Sequence, residues 1–267
     1  FRNCKGLTSV MIPEGVTSIG KNAFMFCEGL RSVSLSASVT NTCEGAFGLN
    51  GALMSFSVDS GNPSYSSRNG LLCSKDGSIL VVGVNGDVAI PSSVTNIGNN
   101  AFQGCGGLTS MVIPSGVKEI GADAFSGCVK LGSVTVPGSV VRIGDGAFSG
   151  CAALTSLEIP EDVTYVGSRA FSGCVRLGSV VIPDCVDRIS DHAFSGCTGL
   201  RSVTIPNGVT AIGDGAFENC TSLSGITLPK TVRTIGADAF SGCSMRSLQT
   251  GNDRILRQGF PRYSCLL

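Results

Sequence analysis

Cysteine is the residue with the most reactive chemistry in this chain, and 13 of the 267 residues are cysteines. Such a number could support disulfides, a metal site or nucleophilic catalysis. Nine of them, here called the cysteine ladder, each lie three residues after a phenylalanine: Cys4, Cys27, Cys105, Cys128, Cys151, Cys174, Cys197, Cys220 and Cys243. The regular spacing and the lack of any C-x-x-C pair predict buried, reduced thiols that pack as small apolar groups. The other four are the predicted reactive thiols: Cys43, Cys73, Cys185 and Cys265.

A catalytic centre would need a positioned base, and the chain has one histidine, His192. Asp184, Asp187 and Asp191 lie near it in sequence and form a weak acidic cluster. Equivalent positions elsewhere in the chain hold Asp, Gly or Arg, which is typical of an exposed turn. We therefore predict a solvated edge here, with no catalytic residue, no metal site and no cofactor. The glycines follow the repeat described next and do not form a phosphate-binding loop.

The cysteine ladder belongs to a repeat that extends along most of the chain. Its clearest mark is the dipeptide Ala-Phe, with phenylalanine at positions 24, 47, 102, 125, 148, 171, 194, 217 and 240. In the unit that begins at Phe194, Val203 and Ile205 alternate as in a short strand, and Pro206 ends that strand because it lacks an N–H group. Gly213 is predicted to form a corner with positive φ. We expect the Ala-Phe-x-x-Cys segment to be a short helical turn.

A single unit cannot bury its own apolar side, but a stack of units can. The unit length of 23 residues, with the pattern L-x-x-V-x-I, lies within the range of leucine-rich repeats, roughly 20 to 29 residues. The full pattern Gly-x-x-Ala-Phe-x-x-Cys-x-x-Leu-x-Ser-Val-x-Ile-Pro-x-x-Val-x-x-Ile resembles the BspA-like, or treponemal-type, leucine-rich repeat family. This resemblance implies a protein of bacterial or protist surfaces. In several members it implies adhesion to host matrix proteins such as fibronectin or fibrinogen.

The predicted fold is a mainly β repeat solenoid, a curved stack of about eleven 23-residue coils with short parallel strands and few helical turns. We predict one domain over residues 1–267, with an irregular coil at 51–101 that carries a hairpin insert and a C-terminal cap at 244–267. Asp76-Gly77 is the hairpin signal. The insert and the C-terminal segment could instead bind a partner. Because Phe1 already lies inside a repeat, we also expect a further segment before it.

Three departures from the repeat are interpreted as neutral drift. Ser36 replaces proline, Thr42-Cys43 replaces Ile-Gly, and Ser190 replaces glycine. No chemistry is assigned to these positions.

The strand of each coil is predicted to expose alternate residues, which together form a surface that we call the strand face. Serine recurs at its first exposed position, and the second position holds small or apolar residues with a single charge, Glu158. The candidate partner-binding residues are Met11, Ser110, Val112, Ser133, Thr135, Ser156, Glu158, Ser179, Val181, Ser202, Thr204 and Thr227. An alternative interpretation is that serine and threonine simply suit a tightly stacked exposed strand.

Charge and hydropathy exclude several classes of protein. Lys plus Arg and Asp plus Glu balance at 19 each, so no basic field is available for nucleic acid. No apolar run approaches the roughly 18 to 20 residues of a transmembrane helix. The predicted function is a non-catalytic, adhesin-like protein that binds another protein, such as a host matrix protein, at the cell surface, in the periplasm or after secretion. The alternatives are an intracellular interaction scaffold and an envelope structural or apolar-ligand-binding protein.

Overall fold

A computed structural model describes residues 1–251 and shows a β-solenoid of about 11 turns, each of about 23 residues. No α-helix occurs among these residues, so none could span a membrane. The strands are β1 (Ser9–Ile12), β2 (Ser18–Ile19), β3 (Ser32–Leu35), β4 (Asn41–Thr42), β5 (Ser55–Val58), β6 (Tyr65–Arg68), β7 (Leu71–Ser74), β8 (Ile79–Val82), β9 (Asn96–Ile97), β10 (Ser110–Val112), β11 (Glu119–Ile120), β12 (Ser133–Thr135), β13 (Arg142–Ile143), β14 (Tyr165–Val166), β15 (Ser179–Val181), β16 (Arg188–Ile189), β17 (Ser202–Thr204), β18 (Ala211–Ile212), β19 (Gly225–Leu228), β20 (Thr234–Ile235) and β21 (Ser247–Thr250).

Two ladders of parallel strands run along the stack. The first ladder contains β1, β3, β5, β10, β12, β15, β17, β19 and β21, and its outward side is the strand face. The second ladder contains β2, β4, β8, β9, β11, β13, β14, β16, β18 and β20. Most paired residues are one repeat apart, as Ser110 and Ser133 are in the first ladder and Ile120 and Ile143 in the second.

Stacked phenylalanines form the centre of the core. From Phe102 to Phe240 each ring lies 5.1–5.5 Å from the next, and their planes differ by at most 8°. The Ala-Phe-x-x-Cys segment that carries each ring is not the predicted helical turn. It consists of tight turns, in which for example the Cys174 N–H donates to the Phe171 carbonyl at 3.2 Å.

The glycine that follows the second ladder is required for close approach, not for positive φ. The prediction for Gly213 was wrong, because positive φ occurs two residues later in the coil, for example at Gly215 (φ 56°), and at His192 (φ 55°) in the coil before. A β-carbon on Gly213 would lie 2.7 Å from the Asp191 amide nitrogen of the neighbouring coil. Only glycine permits that spacing between backbones.

Ser190, like Cys43, takes the place of this glycine, and at Ser190 the change has a structural effect. In other coils the glycine N–H donates to the second ladder of the preceding coil, as Gly213 does to Ile189 at 2.8 Å. At Ser190 the side-chain Oγ instead donates to the Val166 carbonyl at 2.5 Å. The hydrogen-bonded sheet ends at β14 and a new one starts at β16. The interpretation of Ser190 as neutral drift is therefore wrong.

The irregular segment between Phe47 and Phe102 is built from two successive hairpins. Asp76-Gly77 lies in the turn between β7 and β8, as predicted, and these strands are antiparallel. The sequence analysis missed the turn between β6 and β7, where Asn69 (φ 54°) and Gly70 (φ 77°) have the two positive φ values of a type I′ turn. Strand β8 then pairs with β9 and returns the chain to the second ladder.

Residues of this segment also explain the unusual Thr42. The Tyr65 hydroxyl accepts a hydrogen bond from the Thr42 N–H at 2.8 Å and lies 3.1 Å from the Thr42 Oγ1. Tyr65 is 23 residues after Thr42, so the two replace the usual isoleucine pair. Thr42 is therefore matched to its neighbour, and its interpretation as drift is wrong.

Gly213→Ala is expected to lower the free energy of unfolding by about 1–3 kcal/mol, because the added methyl group must push two backbones apart. Denaturant unfolding would measure the change. The matched control is Gly138→Ala, where nothing lies within 4 Å of the added carbon. Equal stability of both variants would contradict the close-approach role of Gly213.

Candidate functional site

The cysteine ladder is buried along most of the stack and is hydrogen-bonded in a way that the sequence did not indicate. Cys174 donates its thiol proton to the Phe148 carbonyl of the preceding coil at 3.2 Å, and six other ladder thiols make the equivalent bond at 3.1–3.2 Å. In the coil of Phe47, Asn50 takes the place of cysteine and its Nδ2 donates to the Phe24 carbonyl at 2.9 Å. Cys4 departs from the prediction, because it is exposed.

Burial suppresses the nucleophilic form of these thiols. It raises the pKa of Cys105, Cys151 and Cys197 to about 12, so almost none of their thiolate is present at neutral pH. All 12 cysteines among residues 1–251 are free, and no group of three metal-ligating side chains occurs in that range. The ladder is therefore a structural element of the core.

The four predicted reactive thiols differ in their environments. Cys185 is exposed and Cys43 is partly exposed. Cys73 was predicted to be reactive, and that prediction was wrong, because the residue is buried in β7 and burial raises its pKa. Cys265 lies outside the described residues, as does most of the predicted cap at 244–267.

His192 and the aspartates near it lie in a polar network at the edge of the stack. The His192 Nδ1 lies 3.4 Å from Glu218 Oε2, at the surface of the stack. The nearby Asp191 carboxylate is occupied by Arg188 at 2.7 Å and by the Asp214 N–H at 3.0 Å. Asp184 and Asp187 are exposed. This cluster holds adjacent coils together at their edge.

The strand face presents all twelve candidate residues to solvent. The structure places Met11, Ser110, Val112, Ser133, Thr135, Ser156, Glu158, Ser179, Val181, Ser202, Thr204 and Thr227 in exposed positions. The intervening residues, such as Met111 and Val180, point into the core and are buried. Strict alternation along the strands thus brings the candidates onto one surface.

The strand face combines apolar side chains with very little charge. Met11, Val112 and Val181 are 79%, 71% and 58% exposed, which is high for large apolar residues. The ion pairs of the described residues lie elsewhere, as in the Arg142–Glu119 pair at 3.2 Å on the second ladder. There the Arg142 guanidinium also stacks on the ring of Tyr165, 3.9 Å from its centre. The two sides of the solenoid therefore differ in their electrostatic character.

The strand face is not one continuous sheet. Its pairing is interrupted between β5 and β10, where the hairpins enter, between β12 and β15, where only an isolated bridge joins Ser133 to Ser156, and between β17 and β19. Over the interruption between β17 and β19 lies a groove of about 560 Å³, to which Ser202, Thr204, Thr227 and Gln249 contribute hydroxyl and amide groups. The face therefore offers both flat apolar sites and a polar groove.

Alkylation under native conditions should distinguish the thiols by burial. We expect iodoacetamide to modify Cys4 and Cys185 rapidly, and Cys73 and Cys174 at least about a hundredfold more slowly, since the buried thiols react only after local opening. Peptide mapping by mass spectrometry would give the rates, and unfolded protein would serve as the control. Modification of Cys174 as fast as Cys185 would disprove the buried ladder.

Cys174→Asp is expected to destabilise the stack by several kcal/mol, because a carboxylate would be buried without a partner. Thermal unfolding would measure the loss. Cys185→Asp is the control, since that side chain is exposed. An unchanged melting temperature for Cys174→Asp would rule out burial of this position.

Comparison with known proteins supports the same architecture. The solved structure of a leucine-rich repeat protein from Eubacterium ventriosum ATCC 27560 is 28% identical, with a TM-score of 0.65 over 88% of this chain and 64% of that chain. The T. pallidum leucine-rich repeat protein TpLRR is 29% identical, with a TM-score of 0.58 over 72% of this chain and 91% of its own. The pneumococcal vaccine antigen PcpA shares the fold, with 21% identity and a TM-score of 0.62 over 92% of this chain and 68% of that chain.

The chain thus spans less than two thirds of the length of the Eubacterium ventriosum protein. No curated protein matches it. The model of the BspA type leucine rich repeat region matches six copies, over residues 1–71, 86–201 and 187–259. These matches cover most of the sequence, and the chain belongs to the BspA-type leucine-rich repeat family.

Proposed function

We propose that this protein is a non-catalytic, adhesin-like binding protein of the cell surface, and that it contacts a protein partner along the strand face. The observation that carries the proposal is a long exposed surface with a single charge, on which large apolar side chains alternate with hydroxyl groups. Family membership supports an interaction role, because solenoids of this kind use extended surfaces for recognition.

The physical argument concerns the cost of removing water. Serine and threonine hydroxyls and aliphatic groups are less costly to desolvate than carboxylates or ammonium groups. Glu158 is the only charged residue among the twelve candidates. Protein interfaces likewise exclude charge from their centres while tolerating it at the rim. We therefore centre two apolar contacts on Val112 and Val181, which lie on either side of Glu158 and of the single charge that it carries.

Apolar residues on this surface are otherwise unexplained by the fold. Val112 contributes nothing to the core, since its side chain faces solvent, while its neighbour Met111 is buried. Each of these residues offers a partner a small apolar contact, since polar residues separate them along the face. Flexible Met11, farther along the same column, would extend the contact to longer partners.

A surface location requires that the thiols survive an oxidising environment. The ladder from Cys27 to Cys220 meets that requirement, because these thiols are buried, and burial raises the pKa of Cys151 among them. The alternative of an intracellular scaffold would use the same strand face. The groove between β17 and β19 suits a polar contact better than an apolar ligand, since it is lined in good part by hydroxyl and amide groups.

Binding to immobilised fibronectin and fibrinogen would test the proposal, with the chain compared to the double variant Val112→Glu/Val181→Glu. We expect the variant to lose at least about tenfold in affinity, because each new carboxylate would be buried without a partner. Surface biotinylation of intact source cells would separately distinguish a surface protein from an intracellular scaffold.

The matched control is Val129→Glu/Val175→Glu, which makes the same change at valines that are 51% and 41% exposed and lie outside the strand face. All these substitutions are at the surface, so their effect on stability should stay within about 0.5 kcal/mol. Equal loss of binding in both double variants would reject the strand face as the site. Failure to bind either matrix protein would reject the adhesin assignment for these partners.

A further inference from the structure

The corner between the second ladder and the phenylalanine is shortened in one place, and a cavity lies beside it. In regular coils the phenylalanine comes five positions after the ladder isoleucine, as Phe102 does after Ile97. In the hairpin coil, Leu80 pairs with Ile97. The Gly83 N–H then donates to the Ala101 carbonyl at 2.6 Å, which is the bond that a phenylalanine N–H makes in the regular coils, so Gly83 occupies the phenylalanine position. Gly83 comes only three positions after Leu80, so this corner is two residues shorter than the others.

The space left beside the shortened corner is a cavity of about 300 Å³, here called the corner slot. This volume lies at the lower end of the range of ligand pockets, about 300–1,000 Å³. Its walls include Thr42–Gly48 on one side, Ile79, Val81 and Val82 of β8, and Gly98–Asn100 of the next coil.

Two main-chain donors on one wall of the slot lack the partner that other coils supply. In the coil of Phe125, the Asp123 and Phe125 N–H groups donate to the carbonyls of Asp145 and Ala147 at 2.7 Å. The equivalent donors here are the N–H groups of Gly45 and Phe47, and neither has a hydrogen-bond acceptor within residues 1–251. Backbone donors in such a recess are costly to leave unpaired.

The opposite wall lacks a donor in the same way. The carbonyls of Asp145 and Asp191 each accept a corner N–H from the coil before, at 2.7 Å and 3.0 Å. The equivalent carbonyl of Asn99 accepts none from the described part of the chain. The slot thus keeps two donors and one acceptor in the places where a full-length corner would satisfy them.

We propose that the corner slot binds a short extended peptide segment of a partner protein, about two residues long, in the place of the missing corner. Its carbonyls would accept from Gly45 and Phe47, and its N–H would donate to Asn99. An aliphatic side chain would pack against Ile79 and Val81, which project from β8. This site is separate from the strand face and does not depend on the function proposed for it.

The charge around the slot favours a peptide without acidic groups. Glu44 lies at the wall of the slot. The pKa of nearby Asp123 is raised by burial and also by the carboxylates of Glu44 and Asp145, so negative charge is concentrated on this edge. A neutral peptide with blocked ends is therefore the appropriate probe.

Cys43 lines the slot and provides a reporter for disulfide exchange. The probe is the mixed disulfide of N-acetyl-Ala-Val-cysteamide. The two comparison compounds are the corresponding disulfides of N-acetylcysteamine and of the same peptide with its backbone nitrogens methylated. We expect release of the peptide from Cys43 to need about tenfold more 2-mercaptoethanol than release of either comparison compound, because the hydrogen bonds add to the covalent link. Exposed Cys185 on the same protein is the internal control and should show no difference.

A second variant tests the slot itself. Insertion of Gly-Asn between Val81 and Val82 restores the normal corner length and should abolish the tenfold difference at Cys43. The same insertion after Gly138, in an open turn, should leave it unchanged. Equal release of all three compounds from Cys43 of the unmodified protein would overturn the proposal, whether or not the insertion variant folds.

Discussion

The structure depends on placing each residue type directly over its counterpart, one repeat of 23 residues away. Phenylalanine rings stack on one another, thiols donate to the carbonyl of the preceding phenylalanine, and corner N–H groups meet the carbonyls of the next coil. All three depend on a single register. A coil that gained or lost one residue at a corner would disturb them together, which explains why the unit length varies so little.

Much of this architecture could be predicted from the sequence, because the 23-residue period and the residue types that recur with it indicate the same fold. Alternation of apolar residues placed the strand face correctly, and Asp76-Gly77 indicated the second hairpin. The errors share one cause. Gly213, Ser190 and Thr42 are each governed by an atom in the neighbouring coil, and contacts between coils are not visible in the pattern of one unit. The prediction that Cys73 is reactive failed for a similar reason, since the burial of this residue depends on which residues cover β7.

The candidate site was only partly predictable for a different physical reason. Exposure follows from strand periodicity, which the sequence carries. The interruptions of the strand face do not, because they depend on how successive coils pack, and the break in the second ladder at Ser190 has the same kind of origin. The thiol-to-carbonyl bond was likewise invisible, since a cysteine in a repeat could equally be a simple apolar filler. Residues that bind a partner remain a prediction based on exposure, charge and shape.

The irregular coil shows how such a protein can change length without losing its order. The stretch from Phe47 to Phe102 is 55 residues long, yet Leu49 still donates to the Gln103 carbonyl, and Gly83 returns the chain to the stack in phase. Extra sequence therefore leaves and re-enters between two fixed points, and the coils on either side need not adapt. Such a junction makes the solenoid modular, so that new loops can be gained in evolution, or grafted by design, one coil at a time.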